Sequence, residues 1–216
     1  MIMLVLVFLA LAPAAHSGPW PRPPGEQFMS VSLEAPHNAD SLAQAFASVY
    51  YERGLKRDWT MGFDTGANGL GYSKAYIFLR RPVWQGRSAR VALALGVGQQ
   101  STAAGVGYAL RPELSWGRNL TMLQRSGWLT IDTSAAYVIS TQTTVIKSET
   151  TIGLSLTPKA ITFLQATAEK ETGQPLRTML TPSLAFQIRS NMHLVGAAVL
   201  SPDQRTKLKL GLWMTF

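Results

Sequence analysis

The end of the chain alternates between large apolar side chains and polar or small ones. Leu208, Leu210, Leu212, Met214 and Phe216 interleave with Lys207, Lys209, Gly211, Trp213 and Thr215. A period of two places the two sets on opposite faces of a β-strand, whereas a helix needs a period near 3.6. The same alternation recurs through most of the chain after Pro24. The sequence therefore predicts an all-β protein.

Counting alternating segments between turn signals gives about twelve strands. Residues 28–216 allow about 16 residues for each strand and its turn, and a tilted membrane strand needs ~9–11. The predicted strands are 28–35, 45–53, 58–66, 72–81, 87–99, 105–117, 127–140, 145–157, 160–170, 177–189, 192–201 and 205–216.

Two segments also fit a helix. Leu42, Phe46 and Tyr50 follow the capping pair Asp40-Ser41 at helical spacing, and Ile161 to Lys170 is similarly ambiguous. If residues 42–53 are helical rather than a strand, eleven strands remain, and an even-numbered barrel then has ten.

The composition of the two strand faces favours a membrane barrel over a soluble sandwich. The polar side mixes tiny residues with charges, which suits a lumen, and the opposite side is large and nearly free of charge, which suits lipid. Overall, 46% of residues are hydrophobic and 15% charged, and there is no Cys, which excludes a disulfide scaffold or a thiolate metal site. We predict one closed, antiparallel, up-and-down transmembrane β-barrel domain over 28–216.

The N-terminus is typical of an export signal. Residues 1–12 are apolar and uncharged, and Ala15-His16-Ser17 forms a cleavage site ahead of Gly18. The run is too short for a spanning helix, which takes about 20 residues. The chain departs from the usual pattern because no Lys or Arg precedes the apolar run. We predict a signal peptide over 1–17 and a Pro-rich periplasmic lead over 18–27.

The C-terminal strand, with its final aromatic residue, resembles the assembly signature of Gram-negative outer-membrane β-barrel proteins. The matching positions are Leu212, Met214 and Phe216. The resemblance implies that the barrel-assembly machinery binds this strand and that the protein resides in the bacterial outer membrane.

One end of the predicted barrel collects aromatic and basic residues. With both termini in the periplasm, five of the six tryptophans fall on the periplasmic rim as an interfacial girdle: Trp59, Trp84, Trp116, Trp128 and Trp213. The same rim carries eleven bases against Glu52 and Asp58: Arg53, Lys56, Arg57, Arg80, Arg81, Arg87, Arg90, Arg118, Arg125, Lys159 and Arg189. These bases suit lipid headgroups, or alternatively a mouth that concentrates anionic solutes.

The predicted lumen mixes charges of both signs. Its main members are Asp64, Arg90, Arg111, Glu113, Asp132, Lys147, Glu149, Lys207 and Lys209, together with Glu34, Glu169 and Gln187. Twelve strands lie between the filled eight-stranded barrel and the open sixteen-stranded pore. The pattern predicts a narrow passive channel for small solutes, with Arg111 and Lys147 favouring anions, or else a structural envelope protein. We expect no lid and no plug.

Catalytic patterns are absent from the sequence. His37 and His193 have no Asp, Glu or His at ligand spacing, and His16 leaves with the signal. We therefore expect no enzyme, no cofactor and no metal, the alternatives being a membrane-embedded lipid-modifying enzyme and a soluble periplasmic β-protein. The net charge of +8 is dispersed among strands of an exported chain, which argues against nucleic acid.

Overall fold

The structure, a computed structural model, describes residues 18–37, 42–202 and 204–216. In that part of the chain, alternating segments form twelve strands, because each can turn its large apolar residues outward and its small and polar residues inward. The strands are β1 Gln27–Pro36, β2 Phe46–Gly54, β3 Thr60–Asn68, β4 Ser73–Gln85, β5 Ala89–Thr102, β6 Gly105–Met122, β7 Arg125–Val138, β8 Thr143–Thr157, β9 Ala160–Glu171, β10 Arg177–Arg189, β11 Met192–Ser201 and β12 Gln204–Thr215.

Each strand pairs antiparallel with its neighbours in the chain, and β1 pairs with β12 to close the sheet. The closing ladder runs from Phe28 opposite Thr215 to Pro36 opposite Lys207. Closure leaves no unpaired sheet edge, which a strand in lipid requires because no water is present to hydrogen-bond its backbone. The predicted closed up-and-down barrel of about twelve strands is confirmed.

The two ambiguous segments are strands. Within residues 42–53, helical structure is limited to a 3-10 turn at Leu42–Gln44, and β2 begins at Phe46. Ile161 to Lys170 lies within β9. No helix among the described residues is long and apolar enough to span a membrane. The predicted signal peptide over 1–17 and the Asp40-Ser41 pair lie outside the described residues.

We call the end of the barrel that holds Gln27 and Phe216 the terminal end, and the opposite end the loop end. Gln27 and Phe216 exchange two backbone hydrogen bonds there, of 3.0 and 2.9 Å. The turns after β2, β4, β6, β8 and β10 also lie at the terminal end because the chain runs up and down.

Apolar clusters line opposite parts of the barrel wall on its inner side. Toward the loop end, Tyr76, Ala109, Ala136, Val138 and Val145 pack together across β4 to β8. A second cluster lies on β7 to β11 toward the terminal end. The side chains of both clusters occupy part of the lumen and so reduce the open space that the twelve strands enclose.

Candidate functional site

The barrel has an apolar outer face and a polar inner face. On β5, Leu93, Leu95 and Val97 each expose about half of their surface on the outside, at 50%, 51% and 48%. Ala92, which precedes them on the inner face of the same strand, is 1% exposed. Exposed aliphatic side chains at every second position form the surface that a lipid bilayer covers. The functional chemistry of the chain is therefore concentrated inside.

The lumen contains two connected cavities. The cavity nearer the loop end, which we call the vestibule, has a volume of about 510 Å³ and is bounded by Phe46, Asn68 and Tyr72. The cavity nearer the terminal end, the inner chamber, has about 330 Å³ and is bounded by Gly18, Phe28 and Trp213. The two share a ring of charged residues: Asp64, Lys74, Arg111, Lys147 and Lys209.

Two charged clusters of this ring are held by short ion pairs. Asp64 accepts from Lys74 Nζ at 2.8 Å through Oδ1 and from Arg111 Nη1 at 2.8 Å through Oδ2. The Arg111 guanidinium also lies 4.0 Å from the centre of the Tyr76 ring. Lys147 Nζ pairs with Glu149 Oε2 at 2.7 Å. These contacts hold the charged groups in place, and the Asp64–Arg111 pair links the non-adjacent strands β3 and β6.

The vestibule carries an excess of positive charge. Six basic residues line it against three acidic ones: Lys74, Arg111, Lys147, Arg177, Lys207 and Lys209 against Glu34, Asp64 and Glu169. One of these bases, Lys207, is paired with Glu34 at 3.1 Å. In the inner chamber the signs nearly balance, with five bases against four acids. The field in the lumen therefore favours anions at the loop end.

The Pro-rich lead lies inside the terminal end of the lumen, which corrects the prediction that the barrel has no plug. Gly25 N donates to Gly54 O at 2.9 Å on β2, which fixes one end of the lead. At the other end, Trp20 and Pro19 lie against Gly117 of β6, where a Cβ would be 2.5 Å from Trp20 Cη2. Residues 18–25 thus cross the lumen from one wall to the other.

An ion-pair cluster fastens the lead to β2 and β4. Arg22 Nε donates to Glu52 Oε2 at 2.6 Å, and Arg22 Nη1 lies 3.2 Å from Glu26 Oε1. Glu52 also pairs with Arg80 and accepts from the Tyr50 hydroxyl. Glu52 is 0% exposed, Arg22 6% and Arg80 3%. Burial lowers the pKa of the Arg22 guanidinium from its ordinary value, and the Glu26 carboxylate acts in the opposite direction.

An aromatic cluster fastens the lead on the other side. Trp20, Phe163 and Trp213 pack against a buried group composed of Trp128, Ile161, Ala185 and Val195. The rings of Phe163 and Trp213 stack with centroids 5.2 Å apart. The lead is therefore held by charge on one wall and by apolar packing on the other.

The aromatic cluster corrects the predicted girdle. Trp128 and Trp213 point into the lumen, because Trp128 shares a strand face with Asp132, and Trp213 shares one with Lys209. Trp84 lies at the terminal end with 53% of its surface exposed, and Trp116 alternates with the buried Ser115. Trp59 lines a groove on the outer face, where the Arg81 guanidinium is 5.4 Å from its ring centre. For Trp59, Trp84 and Trp116 the girdle stays a prediction.

The structure brings most of the predicted lumen residues together. Asp64, Arg111, Glu113, Asp132, Lys147, Glu149 and Lys209 line the inner chamber, and Lys207, Glu34 and Glu169 line the vestibule. Arg90 is instead near the terminal end of β5, opposite Gly117. Gln187 is near the terminal end of β10, where its amide donates to Ser190 O at 3.1 Å.

The basic residues at the terminal end divide into two groups. Arg80 is buried in the lumen on Glu52, so it and Glu52 do not belong to the surface rim that the sequence predicts. The exposed rim consists of Arg53, Lys56, Arg57, Arg81, Arg87, Arg118, Arg125, Lys159 and Arg189, and Arg90 lies half-buried at the same end of the barrel. This remaining band surrounds the terminal end of the barrel on the outside.

The two histidines of the described chain have few polar neighbours. His37 Nδ1 lies 3.3 Å from Thr206 O at an exposed position, and His193 is opposite Gln187 and Trp213 in the ladder. The described residues contain no group of three His, Cys, Asp or Glu suited to a metal ion.

Sequence reasoning missed Arg22, Glu52 and Arg80 as lumen residues. The alternation of β2 predicts that Glu52 points into the lumen, because Tyr50 and Ser48, two and four residues earlier, line the inner chamber. No periodic signal exists for Arg22, since Pro-rich segments have none. Its partner Glu52 is 30 residues away.

A closed antiparallel barrel with an apolar exterior and a charged lumen is the architecture of outer-membrane porins. Among solved structures, the chain is similar to the KdgM porin, with a TM-score of 0.66 and 8% identity over 88% of this chain and 99% of that one. The NanC porin aligns with a TM-score of 0.58 and 9% identity over 86% and 98%. Omp33, an outer membrane protein of Acinetobacter baumannii, aligns at 0.56 and 5% over 89% and 98%.

These likenesses establish the fold of a Gram-negative outer-membrane β-barrel porin. No protein-family model matches the chain. No curated protein matches its sequence.

Proposed function

We propose that this protein is a narrow passive channel for small solutes in the bacterial outer membrane. The observation that supports the proposal most strongly is the pair of connected, charge-lined cavities, of about 510 and 330 Å³, inside a barrel with an apolar outer face. Charged and polar walls hold water, which a path for dissolved solutes needs. The porin fold of the structural neighbours agrees with this function.

The lead limits the channel. It fills the terminal end of the lumen between the Glu52 ion pairs and the aromatic cluster. The lead therefore narrows the path that solutes take through the terminal end of the lumen. A structural envelope protein is the second candidate, and the filled terminal end is the observation that favours it.

Anionic solutes fit the vestibule best. The excess of bases over acids there attracts carboxylates and similar groups, and Arg111 and Lys147 lie where the two cavities meet. One KdgM porin structure is described as a complex with disordered oligogalacturonate, an anionic sugar. We extend that preference to this chain as an anion preference only.

A channel fits the described residues better than the two other classes. A lipid-modifying enzyme needs a nucleophile or carboxylate beside its histidine, and the ladder places Gln187 and Trp213 beside His193. A soluble periplasmic protein would not expose Leu93, Leu95 and Val97 on one strand. We therefore propose that the protein is not an enzyme.

Two surfaces suit the envelope partners that the sequence predicts. The exposed basic rim at the terminal end suits anionic phospholipid headgroups. The last strand, with Leu212, Met214 and Phe216, suits recognition by the barrel-assembly machinery, and Phe216 is 60% exposed.

Membrane fractionation and reconstitution test the proposal. The processed chain is expected in the outer-membrane fraction, with an unheated electrophoretic mobility that changes on boiling, and with repeated small conductance steps in planar bilayers. A soluble periplasmic chain without a heat-dependent shift contradicts the barrel in the membrane. A membrane-inserted chain that never gives conductance steps contradicts the channel and leaves the structural protein.

A further inference from the structure

The first residue of the lead touches a carboxylate of the lumen wall. A Cβ built on Gly18 would lie 3.2 Å from Asp132 Oδ1, 3.6 Å from Oδ2 and 3.6 Å from Thr130 Cγ2. Gly18 and Asp132 both line the inner chamber. The start of the lead is therefore within reach of an anion on β7.

The Asp132 carboxylate forms no ion pair with a described residue: the charge of Arg80 acts on it, but that guanidinium is paired with Glu52. Its Oδ1 is buried and has no hydrogen-bond partner among the described residues. Glu149, opposite Asp132 in the ladder, is a carboxylate paired with Lys147, and Glu113 lines the same chamber. A carboxylate with a buried, unsatisfied oxygen beside other carboxylates is costly. A positive group that pairs with Asp132 directly would remove this cost.

We propose that cleavage between Ser17 and Gly18 supplies this group: the new α-ammonium of Gly18 pairs with Asp132 and latches the lead inside the lumen. In the cleavage, water adds across the peptide bond. Its hydroxyl goes to the Ser17 carbonyl carbon and a hydrogen to the Gly18 nitrogen, which takes a proton from solvent. The catalyst is the signal peptidase of the export pathway, so the proposal rests on the predicted cleavage site.

The geometry of glycine allows the pairing. The nitrogen is attached to the same Cα as the built Cβ, with a bond of about 1.46 Å. After the bond to Ser17 is cut, the Gly18 nitrogen is free to rotate about the Gly18 Cα–C bond. A one-third turn brings it to the position of the built Cβ, about 3.2 Å from Asp132 Oδ1. That distance is at the outer limit of an N–H···O hydrogen bond, and a charged pair draws closer. Glycine has no side chain to obstruct the turn.

The latch completes the attachment of the lead. Gly25 is fixed on β2, Arg22 on Glu52 and Trp20 in the aromatic cluster. The ammonium on Asp132 adds a fourth contact, on β7, at the free end. In the processed protein the free end of the lead is thereby held against the wall of the inner chamber as well. The arrangement holds equally for a channel and for a structural barrel.

Amine labelling of the exported, full-length protein tests the latch. The protein is purified in detergent from membranes, and mass spectrometry determines its N-terminus. A reagent applied near neutral pH labels the α-amine selectively, because its ordinary pKa is about 7.7–8.0 and that of Lys about 10.4. We expect Gly18 at the N-terminus and labelling at least about tenfold slower in the folded protein than in the unfolded chain, because a charged hydrogen bond holds the amine.

Variants separate the latch from general burial. Asp132→Asn is expected to lose the protection, and Glu113→Gln, which removes another chamber carboxylate, to keep it. An extra alanine between Ser17 and Gly18 moves the ammonium by one residue without touching Asp132, and is expected to lose the protection as well. Unheated electrophoresis verifies that each barrel is folded.

Two results overturn the latch. One is a processed N-terminus at a residue other than Gly18. The other is an equal rate of α-amine labelling in the wild type and the alanine-insertion variant. This comparison can be made even if Asp132→Asn fails to fold. Neither result depends on conductance, so the labelling experiment tests the latch independently of the channel proposal.

Discussion

Glu52 is the residue on which the attachment of the lead depends most. It has no exposed surface and receives two guanidinium groups and the Tyr50 hydroxyl. The lead contributes one guanidinium, Arg22, and the barrel wall the other, Arg80. The side chain therefore joins the lead to the barrel as well as satisfying its own charge.

Replacing Glu52 tests this arrangement. Glu52→Ala leaves two buried guanidinium groups without their shared carboxylate, and we expect a loss of about 3–5 kcal/mol in the free energy of unfolding. Urea unfolding followed by unheated electrophoresis measures the loss. Glu34→Ala is the matched control, since the Glu34–Lys207 pair is partly exposed and is worth about 0–1 kcal/mol. Equal losses for the two variants would contradict a special role for Glu52.

At the scale of the element, the lead behaves as a separate unit inside the barrel. It contributes no strand to the closed sheet, and its contacts include two backbone hydrogen bonds near Gly25, the Arg22 ion pairs and the packing of Trp20. The barrel closes through β1 and β12 alone. Weakening the lead is therefore expected to leave the barrel intact.

Trp20→Ala tests whether the aromatic cluster holds the lead. Its removal should cost about 1.5–3 kcal/mol of the docking free energy, the range for burying a large apolar side chain. Hydrogen exchange at the amides of Gly25 and Gly54 should accelerate, and the heat-dependent mobility should be unchanged. Trp84→Ala, at an outward position that is 53% exposed, is the control. Slow exchange in both variants would exclude the cluster as an anchor.

The strands could be predicted from the sequence because the period of two reports directly on the two faces of a sheet. Strand β10, Arg177–Arg189, has the predicted bounds, and β6 differs by five residues because Arg118 to Met122 continue the ladder beyond the predicted turn. The alternation of their strands predicts that Trp128 and Trp213 point inward, and the girdle prediction for these two residues goes against that alternation. The lead was missed because its proline-rich sequence has no period and its partners are distant.

In the whole molecule, the basic residues behind the net charge of +8 lie mainly in two regions, which serve different purposes. Exposed bases surround the terminal end, where headgroups lie in the proposed orientation. The lumen retains a smaller positive excess in the vestibule. The charge balance of the lumen, rather than that of the chain, should decide which ions pass.

Ion selectivity tests that statement. Arg111→Gln and Lys147→Gln should each lower the anion-to-cation permeability ratio by up to about fivefold, since one unit charge at ~4 Å in water contributes about 1 kcal/mol. Each change also frees a carboxylate, Asp64 or Glu149, from a partner. Reversal potentials in a salt gradient measure the ratio, with Lys159→Gln, an exposed turn residue, as control. Unchanged ratios would remove both residues from selectivity.

We propose that the lumen is a water path that the lead narrows at its terminal end. Single-channel conductance of the exported protein, compared with a variant that lacks residues 18–25 but retains the signal and β1, tests it most directly. We predict small steps for the wild type and severalfold larger steps for the variant, because removal of the lead widens the terminal end of the lumen. Equal conductance in the two proteins would contradict the account.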